Sequence, residues 1–125
     1  WFEAEGWEFY AYGFDPHFLH LDVQFGMLAE NLAVACIEAL EPTFVDWLKS
    51  KGIRLIDVSY GSAMTLGTNV VALGDERVMI PSTAKDLIAA CRAEGLTVFD
   101  PDVSMIAHSG GAVHCMCQAL ARDPA

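Results

Sequence analysis

The chain has 125 residues, 54% of them hydrophobic, with 17 acidic against 7 basic side chains for a formal net charge of −10. That is enough apolar material for one domain with a real core, and it excludes a disordered chain. A field of this sign repels phosphate backbones and anionic lipid, which argues against nucleic acid and membrane partners and mildly favours cationic ligands. No apolar stretch approaches the roughly 20 residues that cross a bilayer. Glu3, Glu5 and Glu8 stand where a secretory signal would be basic. The chain begins with Trp1, so its natural N-terminus is expected upstream. Four cysteines without a secretion signal read as reduced thiols in a cytoplasmic protein. Cys36 and Cys91 lie in the apolar runs LAVACIEAL and LIAACRAEG and read as small core residues.

In chain order, FLHLDVQFGML (18–28) is predicted as a strand, followed after Asn31 by the apolar run LAVACIEAL. Pro42 opens a predicted helix, PTFVDWLKSK, which Gly52 stops. IRLIDVSY has the β-branched alternation of a strand. A turn-rich stretch, GSAMTLGT, leads to the strand NVVAL, the turn GDER and the short strand VMIP. Ser82 or Thr83 is expected to cap a second helix, which runs through Ala93 and stops at Gly95. LTVFD is a strand broken by Pro101, and after Gly110 and Gly111 the run AVHCMCQAL reads as another. KGIRLIDVS resembles EGLTVFDPDVS, with Gly52 and Gly95 lying 43 residues apart. Each segment follows a helix that paired short strands precede. The expected fold is therefore α/β (α+β), built from strand–strand–helix–strand repeats in one continuous domain over residues 1–125.

Two segments carry candidate chemistry. On a strand, His20 and Asp22 project from one face with Gln24 beyond them, while Leu19, Leu21, Val23 and Phe25 fill the other. A histidine beside a carboxylate is a candidate acid or base, and a hydrogen-bonded structural pair is the blander reading. In GGAVHCMCQ, the glycine pair allows close backbone approach or simply a tight turn. Strand alternation puts Cys115 and Cys117 on one face and His114 on the other, so the group activating Cys115 is expected from elsewhere: His20 first, His108 second. The Cys115, Cys117, His108 and His114 cluster could also hold zinc, but C-x-C is not the usual structural spacing. Asp100 and Asp102 around Pro101 read as a solvated turn, and Asp57 as a strand end. Trp7, Tyr10 and Tyr12 read as ordinary strand packing.

Taken together, FLHLDVQFGM, NVVALGDERVMIP and GGAVHCMCQALARDP resemble the C-terminal part of the arginine deiminase and amidinotransferase superfamily, from about Asp15 to Pro124. The resemblance implies a pentein-type fan of five strand–strand–helix–strand modules around a pseudo-fivefold axis, two to three of them present here. It implies Cys115 as nucleophile, His20 as general acid/base and Asp22 as the carboxylate that binds a guanidinium, with Gly110 and Gly111 beside the substrate. The implied reaction passes through a covalent amidino-cysteine, completed by water in a hydrolase or by an amine in a transferase, without a cofactor. The implied partners are a small guanidine-containing substrate and either further copies of the chain or a missing N-terminal half. Arginines are few (Arg54, Arg77, Arg92 and Arg122), and none lies in the loop just before Cys115, where a substrate carboxylate could be gripped. The other readings are a non-catalytic binding or assembly module on the same fold, and a small zinc-binding protein.

Overall fold

A computed structural model describes residues 1–121; Arg122 and Pro124, at the end of the motif quoted above, lie outside the described residues. Six strands and four helices form two copies of one unit. In the first, β1 (Phe25–Ala29) pairs antiparallel with β2 (Leu32–Ala35), α1 (Pro42–Ser50) follows, and β3 (Arg54–Asp57) returns parallel to β2. In the second, β4 (Val71–Gly74), β5 (Arg77–Met79) and β6 (Thr97–Phe99) repeat the pattern, with α3 (Lys85–Ala93) ahead of β6. Short helices α2 (Tyr60–Met64) and α4 (Ser104–Ala107) follow β3 and β6. The expected strand–strand–helix–strand repeat is therefore present twice.

The repeated glycines do the same work in both units. Gly52 (φ +76°) and Gly95 (φ +89°) take the left-handed conformation that ends α1 and α3. Ile53 N–H then donates to Leu48 C=O at 3.1 Å, and Leu96 N–H to Cys91 C=O at 3.0 Å. Each cap turns the chain straight into the strand that lies parallel to its predecessor. In the GDER turn, Asp75 and Glu76 both have positive φ, the conformation that a two-residue hairpin loop requires.

Strand alternation divides the core. Phe25 and Ala35 face α1, where they meet Phe44, Val45 and Leu48. Leu28, Leu32 and Val34 face the second unit and share a core with Val70, Val78, Ile80 and Leu87. With both faces covered, every residue of β2 is buried. Gly26 lies on the face turned to the second unit, and a Cβ there would stand 2.6 Å from Thr68 O and 2.8 Å from Val70 Cγ2. The two units close on each other because this position has no side chain.

Several elements differ from expectation. The strand predicted over 18–28 begins only at Phe25. Ahead of it are two 3₁₀ turns, Pro16–Phe18 and Leu21–Val23. Asp15 caps the first by accepting from His17 N–H at 2.8 Å. Leu19 (φ +64°) then reverses the chain, with His20 N–H donating to Phe18 C=O. GSAMTLGT is not all turn: Ser59 caps α2 by accepting from Ser62 N–H at 3.2 Å. Neither Ser82 nor Thr83 caps α3, whose N-cap is Ala84, because the Pro81–Ala84 turn closes first through Ala84 N–H to Pro81 C=O. AVHCMCQAL forms no strand. Its centre is one helical turn, closed by Met116 N–H to Ala112 C=O at 3.2 Å. Trp7 is exposed, while Tyr10 and Tyr12 stack on Phe44 outside any strand. No described helix is long and apolar enough to cross a membrane.

Replacing Gly26 by Ala should lower stability by about 1–3 kcal/mol, the usual cost of forcing atoms into a filled core. Gly13→Ala, which meets nothing within 4 Å, should change it by less than about 0.5 kcal/mol. Urea unfolding of both variants measures the difference.

Candidate functional site

The site forms where three loops meet at the head of the two units. The 3₁₀ turn leading into β1 brings Asp22. A tight bend leading into β4 brings Thr68 and Asn69: Leu66 has φ +64°, and Gly67 lies so close to Ser62 that a Cβ would fall 2.8 Å from its carbonyl. The helical turn after Gly110 and Gly111 brings His114 and Cys115. Gly110 (φ +94°) starts that turn. Gly111 makes room within it, since a Cβ there would stand 3.0 Å from Cys115 Cβ and 3.5 Å from the sulfur. Ala112 and Val113, both buried, fasten the turn to the core.

Asn69 is fully buried and bonds in four directions. Its Oδ1 accepts from the backbone N–H of His114 at 2.9 Å and of Cys115 at 3.4 Å. Its Nδ2 reaches Asp22 Oδ2 at 2.9 Å and Cys115 Sγ at 3.1 Å. Thr68 adds a bond from its hydroxyl to Asp22 C=O at 2.9 Å. Asp22 Oδ2 also meets His114 Nδ1 at 2.8 Å and Cys115 Sγ at 3.5 Å. A carboxylate accepts only, so the proton of that histidine contact lies on Nδ1. Asp22 Oδ1, by contrast, is buried with no hydrogen-bond partner among the described residues. A cavity of about 340 Å³ opens beside Asp22 and His114, lined with them by Phe25, Met27, Val70 and Ala72 and not by Cys115.

The expected residues are therefore only partly brought together. Asp22 and Cys115 meet. His20 and Asp22 do not share a strand face, because the segment is a 3₁₀ turn, and the His20 ring is exposed without a hydrogen-bond partner among the described residues. His114, placed by strand alternation on the face away from Cys115, instead joins the same carboxylate as the cysteine, because the segment coils rather than extends. Asn69 is a polar residue at the head of an apolar strand, a position that by itself signals no function. The only sequence signal for it was the Gly67–Thr68 bend just before NVVAL.

Asp102 caps Ser104 N–H, and Asp100 pairs with Arg92, so both serve local structure. Among the described residues no group of three or more His, Cys, Asp and Glu side chains is arranged to hold a metal ion. The zinc reading thus has no ligand set there.

The four cysteines are unpaired, two buried and two exposed. Burial, with a smaller contribution from Glu94, pushes the Cys91 thiol up to about 11. Burial likewise raises Cys36.

Residues 3–122 match the family described as N,N dimethylarginine dimethylhydrolase, eukaryotic. The uncharacterised protein YkgA of Bacillus subtilis is 32% identical over 105 residues, which is 84% of this chain and 36% of that protein. The chain therefore spans about a third of its relative's length. Among solved structures, an arginine dihydrolase from the ornithine–ammonia cycle in cyanobacteria superposes with a TM-score of 0.67 at 20% identity, over 81% of this chain and 16% of that one. A dimethylarginine dimethylaminohydrolase adduct with 4-chloro-2-hydroxymethylpyridine gives 0.61 at 22%, over 78% and 36%. The inosamine-phosphate amidinotransferase of Streptomyces griseus gives 0.66 at 16%, over 85% and 33%. The superfamily resemblance read from the three motifs is borne out.

Iodoacetamide at pH 8 should modify Cys115 and Cys117 in the folded chain, and Cys36 and Cys91 only after denaturation, as read by peptide mass spectrometry. The fold keeps Cys91 protonated up to about 11, against an ordinary 9.0. Its stabilising share is then complete below about pH 9 and is lost as pH climbs through 11. Urea midpoints measured across that range should fall.

Proposed function

We propose, because the chain belongs to the N,N-dimethylarginine dimethylhydrolase family, that it is the cysteine-bearing part of an enzyme acting on guanidine groups. The observation that carries this reading is the Asp22–Cys115 pair: an exposed thiol 3.5 Å from a carboxylate whose other oxygen is buried and unpartnered. A planar guanidinium can give parallel N–H bonds to such a carboxylate while its carbon faces the sulfur. The neighbouring cavity, apolar except for Asp22 and His114, suits a cation carried on an aliphatic stem. The net charge of −10 adds a favourable field.

In the proposed reaction the Cys115 sulfur attacks the guanidinium carbon and forms a C–S bond. The C–N bond to a terminal guanidine nitrogen, away from the aliphatic stem, then breaks, and the departing amine takes a proton from His20, the acid that the superfamily resemblance implies. Water next attacks the amidino carbon of the covalent amidino-cysteine, giving one proton back to His20 and its second to solvent as the intermediate collapses. The C–S bond breaks, the sulfur keeps its electron pair, and a ureido product leaves. Membership of a dimethylhydrolase family favours water over a second amine as the acceptor. His114, held to Asp22, keeps that carboxylate oriented.

The chain covers 36% of its bacterial relative, so the rest of the substrate pocket comes from further units completing a five-unit ring, or from a partner that supplies them. Exposed Phe99, Met105 and Ile106 offer apolar surface for that association. Four unpaired cysteines accord with a reducing, cytoplasmic setting.

Chloroacetamidine, a cationic alkylating amidine, should give one adduct, on Cys115, when the protein is examined by intact mass and peptide mapping. Asp22→Asn should slow that labelling about tenfold, the worth of a charge-assisted pair near 1.4 kcal/mol. Equal labelling of Cys115 and Cys117, unaffected by Asp22→Asn, would overturn the reading.

A further inference from the structure

We infer that Asn69 is a positioning residue for Cys115, docking the cysteine turn through its oxygen and supporting the ionised sulfur through its nitrogen. The inference rests on the reading of Cys115 as a nucleophile. Its own footing is the carboxamide geometry, in which a fully buried side chain makes four polar contacts.

The orientation of the amide follows from its neighbours. Two backbone N–H groups, from His114 and Cys115, point at one end, and only the carbonyl oxygen can accept them. The nitrogen must therefore face the other way, where its two protons meet two acceptors, Asp22 Oδ2 at 2.9 Å and Cys115 Sγ at 3.1 Å. Both protons are committed, and neither can turn away without orphaning a buried group.

The two ends do different work. A clamp for the cysteine turn needs only the oxygen. The nitrogen adds something the fold does not require. A hydrogen bond donated to sulfur favours the charged form, while the Asp22 carboxylate at 3.5 Å opposes a second negative charge. The amide proton lies against both acceptors and offsets that repulsion. Asn69 belongs to the second unit and Asp22 to the first, so the reactivity of the sulfur also depends on how the two units are joined.

Asn69→Asp separates these contributions. It keeps the size and the oxygen that receives His114 and Cys115 N–H, but turns a second oxygen toward the carboxylate and the sulfur. The reagent is iodoacetamide, which is neutral and so independent of any guanidinium recognition, with Cys117 of the same chain as internal reference between pH 6 and 10. Circular dichroism and thermal unfolding report whether the fold is kept. Cys115 of Asn69→Asp should react about tenfold more slowly than wild type at pH 7, the deficit closing as pH 10 is approached, with Cys117 unchanged. A folded variant whose Cys115-to-Cys117 rate ratio equals wild type at every pH overturns the inference. So does a deficit of the same size at every pH, which would mean simple displacement of the turn.

Should Asn69→Asp fail to fold, the wild-type chain supplies the second measurement. The side-chain amide protons of Asn69, followed by nitrogen-15 NMR, should shift with pH in step with the loss of the thiol proton and stay still in Cys115→Ala. No response in the wild type overturns the proposal. Because neither measurement uses a guanidine or an amidine, failure of chloroacetamidine selectivity with these results intact would sink the proposed substrate class and leave the role of Asn69 standing.

Discussion

A carboxylate held out of water at the junction of two structural units sets the terms for everything around it. Asp22 is largely buried, and one of its oxygens takes Asn69, His114 and the Cys115 sulfur. Burying a carboxylate costs several kcal/mol unless hydrogen bonds or a countercharge answer it. Here hydrogen bonds answer one oxygen and nothing answers the other. The three loops that converge on Asp22 must therefore keep their relative places, and those places follow from how β1 and β4 pack. Gly26 permits that packing, and the Leu66–Asn69 bend directs the amide across the seam.

The same arrangement makes the thiol's surroundings unusual. A cysteine beside a carboxylate is normally a poor nucleophile, since two negative charges at 3.5 Å repel. The amide of Asn69 reduces that penalty. A cation lying against the free oxygen of Asp22 would remove it, and a guanidinium is the cation whose shape matches a carboxylate edge. Under the proposed function, selectivity and reactivity are linked: the sulfur reacts more slowly while Asp22 stands uncompensated and faster once a recognised cation lies against it.

How much of this could be read from residues alone depended on whether local pattern or distant contacts decided the backbone. The helices at Pro42 and before Gly95, the hairpin at GDER and the repeated strand–strand–helix–strand order were legible, because proline, glycine and alternation act within a few residues. His20, Asp22 and the cysteine segment were misplaced for the opposite reason. HLDVQ and AVHCMC alternate like strands, yet Pro16, Leu19 and Gly110 bend them and neighbouring loops hold them bent. That error removed His114 from the site and gave His20 a shared face with Asp22 that the fold does not supply. Asn69 was invisible, since an asparagine before an apolar run declares its role only once Asp22 and Cys115 are seen around it. Cys115 and Asp22 stood out as candidates in their own segments, with their roles supplied by the resemblance, and the fold brings those two side chains within 3.5 Å of each other.

The central claim is that Asp22 and Cys115 together form a guanidinium-responsive thiol. The rate of iodoacetamide alkylation with and without millimolar methylguanidinium tests it most directly, with Cys117 in the same molecule as reference. The account predicts that methylguanidinium changes the alkylation rate of Cys115 in a saturable way and leaves Cys117 untouched. A rate at Cys115 indifferent to methylguanidinium, or one that moves in parallel with Cys117, would contradict it.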